Sequence, residues 1–130
     1  MSINRDASPE MFRIIAEYEL SFTQMKALHI LDRGDSATVK DLAAHLSMSL
    51  PAMSRSVDGL VQRGLVGRTE SATDRRARLV ALLPRGRTVV HQLSDARMKV
   101  LTGFAETLTD DERTALHSAL LPVVERTRRP

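Results

Sequence analysis

The chain has 130 residues, 42% of them apolar and 27% charged, which suits one globular domain with enough apolar side chains for a core. It has no cysteine, which excludes disulfides, thiolate zinc sites and cysteine redox sensing, and no apolar run nears the ~18 residues of a membrane span. The net charge of +3 is unevenly spread: from Ser54 to Arg87 eight arginines stand against three acids, an excess of five, which leaves −2 on the rest of the chain.

The opening "MSINRDASPE" lacks a hydrophobic signal core, so a cytoplasmic protein is expected. Ser8-Pro9 then offers a cap followed by proline in a first helical turn, and Met11, Ile14, Ile15 and Tyr18 recur at helical spacing. Ser21 with Gln24 reads as a capping box that opens a second helix, with Phe22, Met25, Leu28 and Leu31 facing inward and Gly34 as its stop. Thr38 with Asp41 repeats the signal for a short helix carrying Leu42, Ala43 and Leu46. Ser49 caps a fourth helix that runs to Arg63, where Gly64 stops it and Leu65 can fold back on the last turn. Two extended runs follow, Val66 to Ser71 and Arg78 to Leu83, with the alternation of half-buried strands. Pro84 starts a long helix to about Leu108. Thr109 with Glu112 then opens a last one, with Leu116, Ala119, Leu120, Val123 and Val124 on one side. The expected fold class is mainly α with a small β-hairpin wing: a winged helix-turn-helix with flanking helices.

Leu42 to Gly64 has helix-turn-helix spacing: a short helix, the tight turn "SMS", and a second helix from Ser49. On a helical wheel Met53, Val57, Leu60 and Val61 share one face, and Pro51, Ala52, Arg55, Gly59 and Gln62 lie opposite, with Ser54 and Ser56 flanking. A helix that enters a DNA major groove keeps bulk low near its N-terminus, where it meets base edges. Arg55 can donate two hydrogen bonds to a guanine edge, and Ser49 and Ser54, with first-turn amides, can hold a phosphate. An ordinary amphipathic surface helix has the same profile, and a charge run by itself also suits a solvated face.

The ribbon separates these readings. Between its strands lies Thr73-Asp74-Arg75-Arg76. A tip that only turned would favour Gly or Asn. Crowded arginines repel one another unless something anionic meets them, and Asp74 can hold one guanidinium by a forked pair and aim it. An aimed arginine on a thin ribbon suits the negative potential of a narrow minor groove.

With helix and ribbon together, the segment "SFTQMKALHILDRGDSATVKDLAAHLSMSLPAMSRSVDGLVQRGLVGRTESATDRRARLVALLPRG" resembles the MarR family of bacterial transcription regulators. The matching pieces are "VKDLAAHL", "SLPAMSRSVDGL", "QRGLVGR" and "DRRARLVAL", in about half the chain. The resemblance implies a homodimer on a pseudo-palindromic double-stranded DNA operator. It places DNA contacts at Ser49, Pro51, Ala52, Ser54 and Arg55 and at the wing residues Arg75 and Arg76, with Asp74 as orienter. Within a single domain, 1–130, it implies a DNA-binding lobe at 21–86 and dimerisation helices at 8–18 and 109–127. The stripe Leu116, Leu120, Val123, Val124 fits the dimer role, as it fits any core-packing helix. A small apolar or aromatic effector would sit between dimer base and DNA-binding lobe, where Phe12, Ile15, Phe22, Met25, His29 and Val90 are candidate linings; the same residues suit a core.

Three positions depart from the family pattern. Only about twenty residues precede "SFTQ", so the first helix is short. Leu83 stands where a threonine normally caps the next helix, with Pro84 in partial compensation. Gly59 stands where a bulkier, often basic residue is common, at a cost to the helix of about 1 kcal/mol relative to alanine.

Nothing points to catalysis or a cofactor. His29, His45, His91 and His117 are scattered without an i, i+4 metal spacing, Asp110, Asp111 and Glu112 suit a helix's first turn, and no glycine-rich phosphate loop exists. Three Phe, one Tyr and no Trp make a poor stacking platform for single strands. The expectation is a DNA-binding regulator, not an enzyme, and the alternative is a winged-helix module that docks on protein.

Overall fold

The computed structural model describes residues 8–73 and 78–128. The elements in chain order are α1 (Ser8–Glu17), α2 (Phe22–Arg33), β1 (Ala37–Thr38), α3 (Val39–His45), α4 (Leu50–Gln62), β2 (Val66–Glu70), β3 (Arg78–Leu82), α5 (Pro84–Glu106) and α6 (Asp110–Arg128). This is the mainly helical winged architecture that the sequence predicts. No described helix is long and apolar enough to cross a membrane.

Helix starts follow local chemistry. At Ser21/Gln24 and Thr38/Asp41 the cap side chain accepts the third residue's amide, and that residue's side chain accepts the cap's amide. Thr109 and Glu112 make the same reciprocal pair ahead of α6. α1 begins at Ser8 itself, so Ser8 is helical rather than a cap outside the helix. α5 ends at Glu106, two residues short of the expected limit.

The expected hairpin is present, and a third strand joins it. The sheet order is β1-β3-β2, all antiparallel, with Ala37 opposite Val80 and Val66 opposite Leu82. The two residues of β1 are too few for any alternation to register in sequence, and only pairing with β3 makes them a strand.

One core joins the helix-turn-helix, the sheet and the N-terminal part of α5. Leu28 and Leu31 of α2, Leu42 of α3, and Met53, Val57 and Leu60 of α4 meet Leu65, Val66 and Val80, and Val89, Val90 and Leu93 of α5 close over them. α1 joins through Ile14. α6 buries none of its residues.

At the junction of ribbon and α5 the backbones nearly touch. Leu83 donates its amide to the Leu65 carbonyl at 3.0 Å, and a Cβ on Gly86 would lie 2.0 Å from that same oxygen. Only glycine fits there. Leu83 gives α5 no side-chain cap; its side chain instead lies over Gly67.

Candidate nucleic-acid interface

The turn between α3 and α4 is fixed by backbone bonds. Ser47 takes a left-handed φ of 52°, so the Ser47 amide reaches the Ala44 carbonyl and the Met48 amide the Ala43 carbonyl. Two residues later Ser49 caps α4, its hydroxyl accepting the Ala52 amide at 3.3 Å. The Met53 amide bonds to the Ser49 carbonyl, and Pro51 has no N–H. The first turn therefore keeps the amides of Ser49 and Leu50 without an acceptor among the described residues. That is a smaller donor set than a bare helix start offers. The Ser49 hydroxyl donates to no acceptor among the described residues, which leaves it as a further donor.

Met53, Val57 and Leu60 seat α4 in the core. On the other side Ser49, Pro51 and Arg55 are exposed, and Ala52 and Ser54 are half-buried beside them. These five residues thus share the N-terminal end of α4, and Arg55 makes no ion pair among the described residues.

Gly59 faces elsewhere than the helical wheel placed it. It is half-buried, and a Cβ there would lie 2.6 Å from Gln24 Nε2 and 3.2 Å from Arg63 Nη1. It faces α2, and its lack of a side chain has a packing reason. The wheel missed this because one helix's periodicity does not show which neighbour reaches into it.

Gln24 was legible only as a capping residue. In the fold it is buried, at 7% exposure, and its side chain bonds three residues in two segments, Ser21 ahead of α2 and Ser56 and Arg63 of α4. Its Oε1 accepts the Ser21 amide at 3.0 Å and Arg63 Nη1 at 3.3 Å, and its Nε2 donates to the Ser56 carbonyl at 3.1 Å.

The ribbon stands beside α4. Arg68 of β2 is hydrogen-bonded and ion-paired to Asp58 of α4, which ties ribbon base to helix. Glu70 and Arg78 lie opposite each other where the strands approach the tip. Asp74, Arg75 and Arg76 lie outside the described residues.

Of the candidate effector linings, Phe22, Met25, His29 and Val90 come together in a groove of about 500 Å³ between α2 and α5, along with Met11 and Leu93. Phe12 and Ile15 do not line it: Phe12 is 67% exposed on α1, and Ile15 packs against the core. Lys26, Arg33 and Arg97 stand on the groove's rim and walls. His29 donates Nδ1–H to the Met25 carbonyl, which leaves Nε2 without a bond among the described residues.

Asp41 carries a displaced acidity. Hydrogen bonding from the Thr38 side chain, then from the Thr38 backbone, holds its carboxyl below the usual value of 3.8, and nearby His45 and Lys40 act in the same direction.

Known proteins share this fold. A solved structure of RV1404 from Mycobacterium tuberculosis is 31% identical and superposes with a TM-score of 0.77 over 93% of this chain and 83% of that one. Staphylococcus aureus MepR in complex with DNA has the same fold, with a TM-score of 0.78 over 97% of this chain and 95% of that chain at 18% identity. An HTH-type transcriptional regulator of Bacillus subtilis, YwhA, itself uncharacterized, is 30% identical over 86 residues. That match spans 66% of this chain and 62% of YwhA's length. The sequence profile of the MarR family matches residues 18–77, from just after α1 to just before β3. The chain belongs to the MarR family of winged helix-turn-helix transcription regulators.

Proposed function

We propose that this chain binds a pseudo-palindromic operator in double-stranded DNA as a homodimer and regulates transcription there. The observation that carries the reading is the seating of α4. Its apolar residues are buried, while Ser49, Pro51 and Arg55 stand exposed at the end that would meet base edges. Arg55 reads a guanine edge, and the Ser49 hydroxyl and the amides of Ser49 and Leu50 take a phosphate. The ribbon, braced by Arg68 and Asp58, presents Arg75 and Arg76 to the adjacent minor groove, with Asp74 as orienter. MepR, a protein of the same fold, is solved in complex with DNA, which supports DNA as the partner.

The homodimer forms through α1 and α6. A helix that buries nothing, yet carries Leu116, Leu120, Val123 and Val124 exposed along one side, is supported best by a second copy. The groove at Phe22, Met25, His29 and Val90 is the place for a small apolar or aromatic effector, since it lies between α2 of the DNA-binding lobe and α5.

Fluorescence anisotropy tests the reading, with duplexes enriched from a random library and a salt series on wild type, Arg55→Ala and Arg76→Ala. Wild type should select one sequence with two protomers per duplex and a steep salt slope. Arg55→Ala should lose about 1–3 kcal/mol of sequence discrimination, and Arg76→Ala should weaken binding and flatten the salt slope. A wild type that prefers no duplex over competitor DNA would make the protein-docking module the better reading.

A further inference from the structure

Gln24 is the one buried polar side chain among the described residues, and its position needs a reason beyond capping α2. A capping box is complete once Gln24 accepts the Ser21 amide, and such a residue can stay in water, as Asp41 and Glu112 do in theirs. Gln24 instead carries its amide into the interface between α2 and α4. Burial of an amide is unfavourable unless it is fully bonded, and this one is bonded on both atoms. Its orientation has no alternative. Both groups at Oε1 are donors and the group at Nε2 is a carbonyl, so a flipped amide would set donors against donors.

The partners on α4 are informative. Ser56 follows Arg55 directly, and Arg63 is the C-cap of the same helix. Between them Gly59 leaves the notch into which the amide fits: a methyl there would come within 2.6 Å of Nε2. Met53, Val57 and Leu60 seat α4 through apolar contacts, which hold the helix down without a preferred direction, and Asp58 ties its outer side to Arg68 of β2. On the side that faces α2 the directional contacts are those of Gln24, two hydrogen bonds at separate points along α4, and these set its rotation and its travel along its axis there.

We infer that Gln24 is a positioning residue for DNA recognition: lodged in the notch at Gly59, its amide sets the rotation and depth of α4 and so where Arg55 meets the base edges. The inference rests on the DNA-binding reading above. It also gives the glycine a purpose, because the helix gives up rigidity at Gly59 to admit the amide.

The test uses the full-length protein and the duplex that wild type selects, with a scrambled duplex of the same length as reference. The variants are Gln24→Met, which keeps bulk and loses every side-chain hydrogen bond, and Gly59→Ala, which leaves Gln24 intact but blocks its seat. Affinity for the scrambled duplex reports phosphate attraction and should stay within twofold of wild type. Affinity for the selected duplex should fall about tenfold in both variants, so that the specificity ratio falls. Simple destabilisation lowers both affinities together, and thermal unfolding of each variant separates that case. The double variant Gln24→Ala/Gly59→Ala adds a second readout. With the amide gone the notch is empty, so the added methyl should cause no loss beyond that of Gln24→Ala alone. An unchanged specificity ratio in both Gln24→Met and Gly59→Ala, or additive losses in the double variant, overturns the inference and leaves the DNA reading standing. A wild type that selects no duplex removes both.

Discussion

Gly86 has the least room of the glycines for an added methyl group. The nearest obstacle to a methyl group is the Leu65 backbone, oxygen at 2.0 Å and carbon at 2.9 Å, which no rotamer change can relieve. Relief would have to come from separating the ribbon base from α5, and that would strain the bond from the Leu83 amide to the Leu65 carbonyl. Gly86→Ala should therefore cost about 3 kcal/mol or more, in the tail reserved for backbone clashes, although alanine is the better helix former. Urea unfolding measures it; a loss below about 1 kcal/mol would mean that the junction yields easily. Asp41 supplies the pH counterpart. Its carboxyl titrates lower in the folded state than in the unfolded chain, so the stability it adds is complete above the unfolded value near 4 and is lost as pH falls through the lower folded value. Asp41→Asn keeps an oxygen for the Thr38 amide but removes the titration. The wild type should be the more stable of the two at pH 7 and should lose that advantage below about pH 4, as unfolding midpoints from pH 7 down to 2.5 would register.

Among the elements, one device recurs at three helix ends. α1, α3 and α4 each finish with a left-handed residue, Glu19 (φ 50°), Ser47 (φ 52°) and Gly64 (φ 70°). After each comes an apolar residue whose amide returns to a carbonyl one turn back: Leu20 to Ile15, Met48 to Ala43, Leu65 to Leu60. Leu20 and Leu65 are buried and Met48 packs against the core, so the same motif turns the chain and pins the turn. Only the third was readable in the sequence, because only there is the left-handed residue a glycine. Glu19 and Ser47 carry no such mark, and their conformation follows from tertiary packing of Leu20 and Met48. The helix starts behave oppositely, since Ser21/Gln24, Thr38/Asp41 and Thr109/Glu112 are local and form as their spacing predicts. The same division governs the candidate site. The buried face of α4 was legible from period alone, whereas the approach of Gln24 to Gly59 spans 35 positions and leaves no periodic trace. Ser47→Gly follows as an element-scale prediction. A left-handed conformation costs a non-glycine residue about 1–2 kcal/mol, and glycine's extra freedom in the unfolded chain returns part of it. The variant should gain roughly 0.5–1 kcal/mol, seen as a higher urea midpoint at unchanged slope, with the helix-turn-helix geometry intact. A loss of stability would show that the Ser47 side chain holds the turn in some other way.

At the scale of the whole molecule, the described chain divides into a lobe that is complete and a helix that is not. The core of α2, α3, α4, the sheet and the first part of α5 closes on itself, while α6 extends for 19 residues without one buried side chain. Leu116, Leu120, Val123 and Val124 are each 40–49% exposed, and Met98 and Leu101 near the end of α5 are exposed further. Reading two half-sites of an operator requires two copies of α4 held about one helical turn of DNA apart, roughly 34 Å, and that spacing has to be enforced by the contact between copies. If α6 supplies the contact, Leu120 lies in the middle of its apolar stripe. Leu120→Asp would place a charge where the partner offers only apolar groups, and the loss should exceed the roughly 1.5–3 kcal/mol of a fully buried leucine because the carboxylate would also be stripped of water. Sedimentation velocity should then find a dimer for wild type and a monomer for the variant at the same micromolar concentration. Circular dichroism should change little, because Leu120 is half exposed and belongs to no part of the core within its own copy. Affinity for the selected duplex should fall by more than about a hundredfold, since a monomer keeps one α4 and one wing and loses the second half-site. A Leu120→Asp protein that remains dimeric and still binds would mean that α6 serves another partner and that the copies are joined elsewhere.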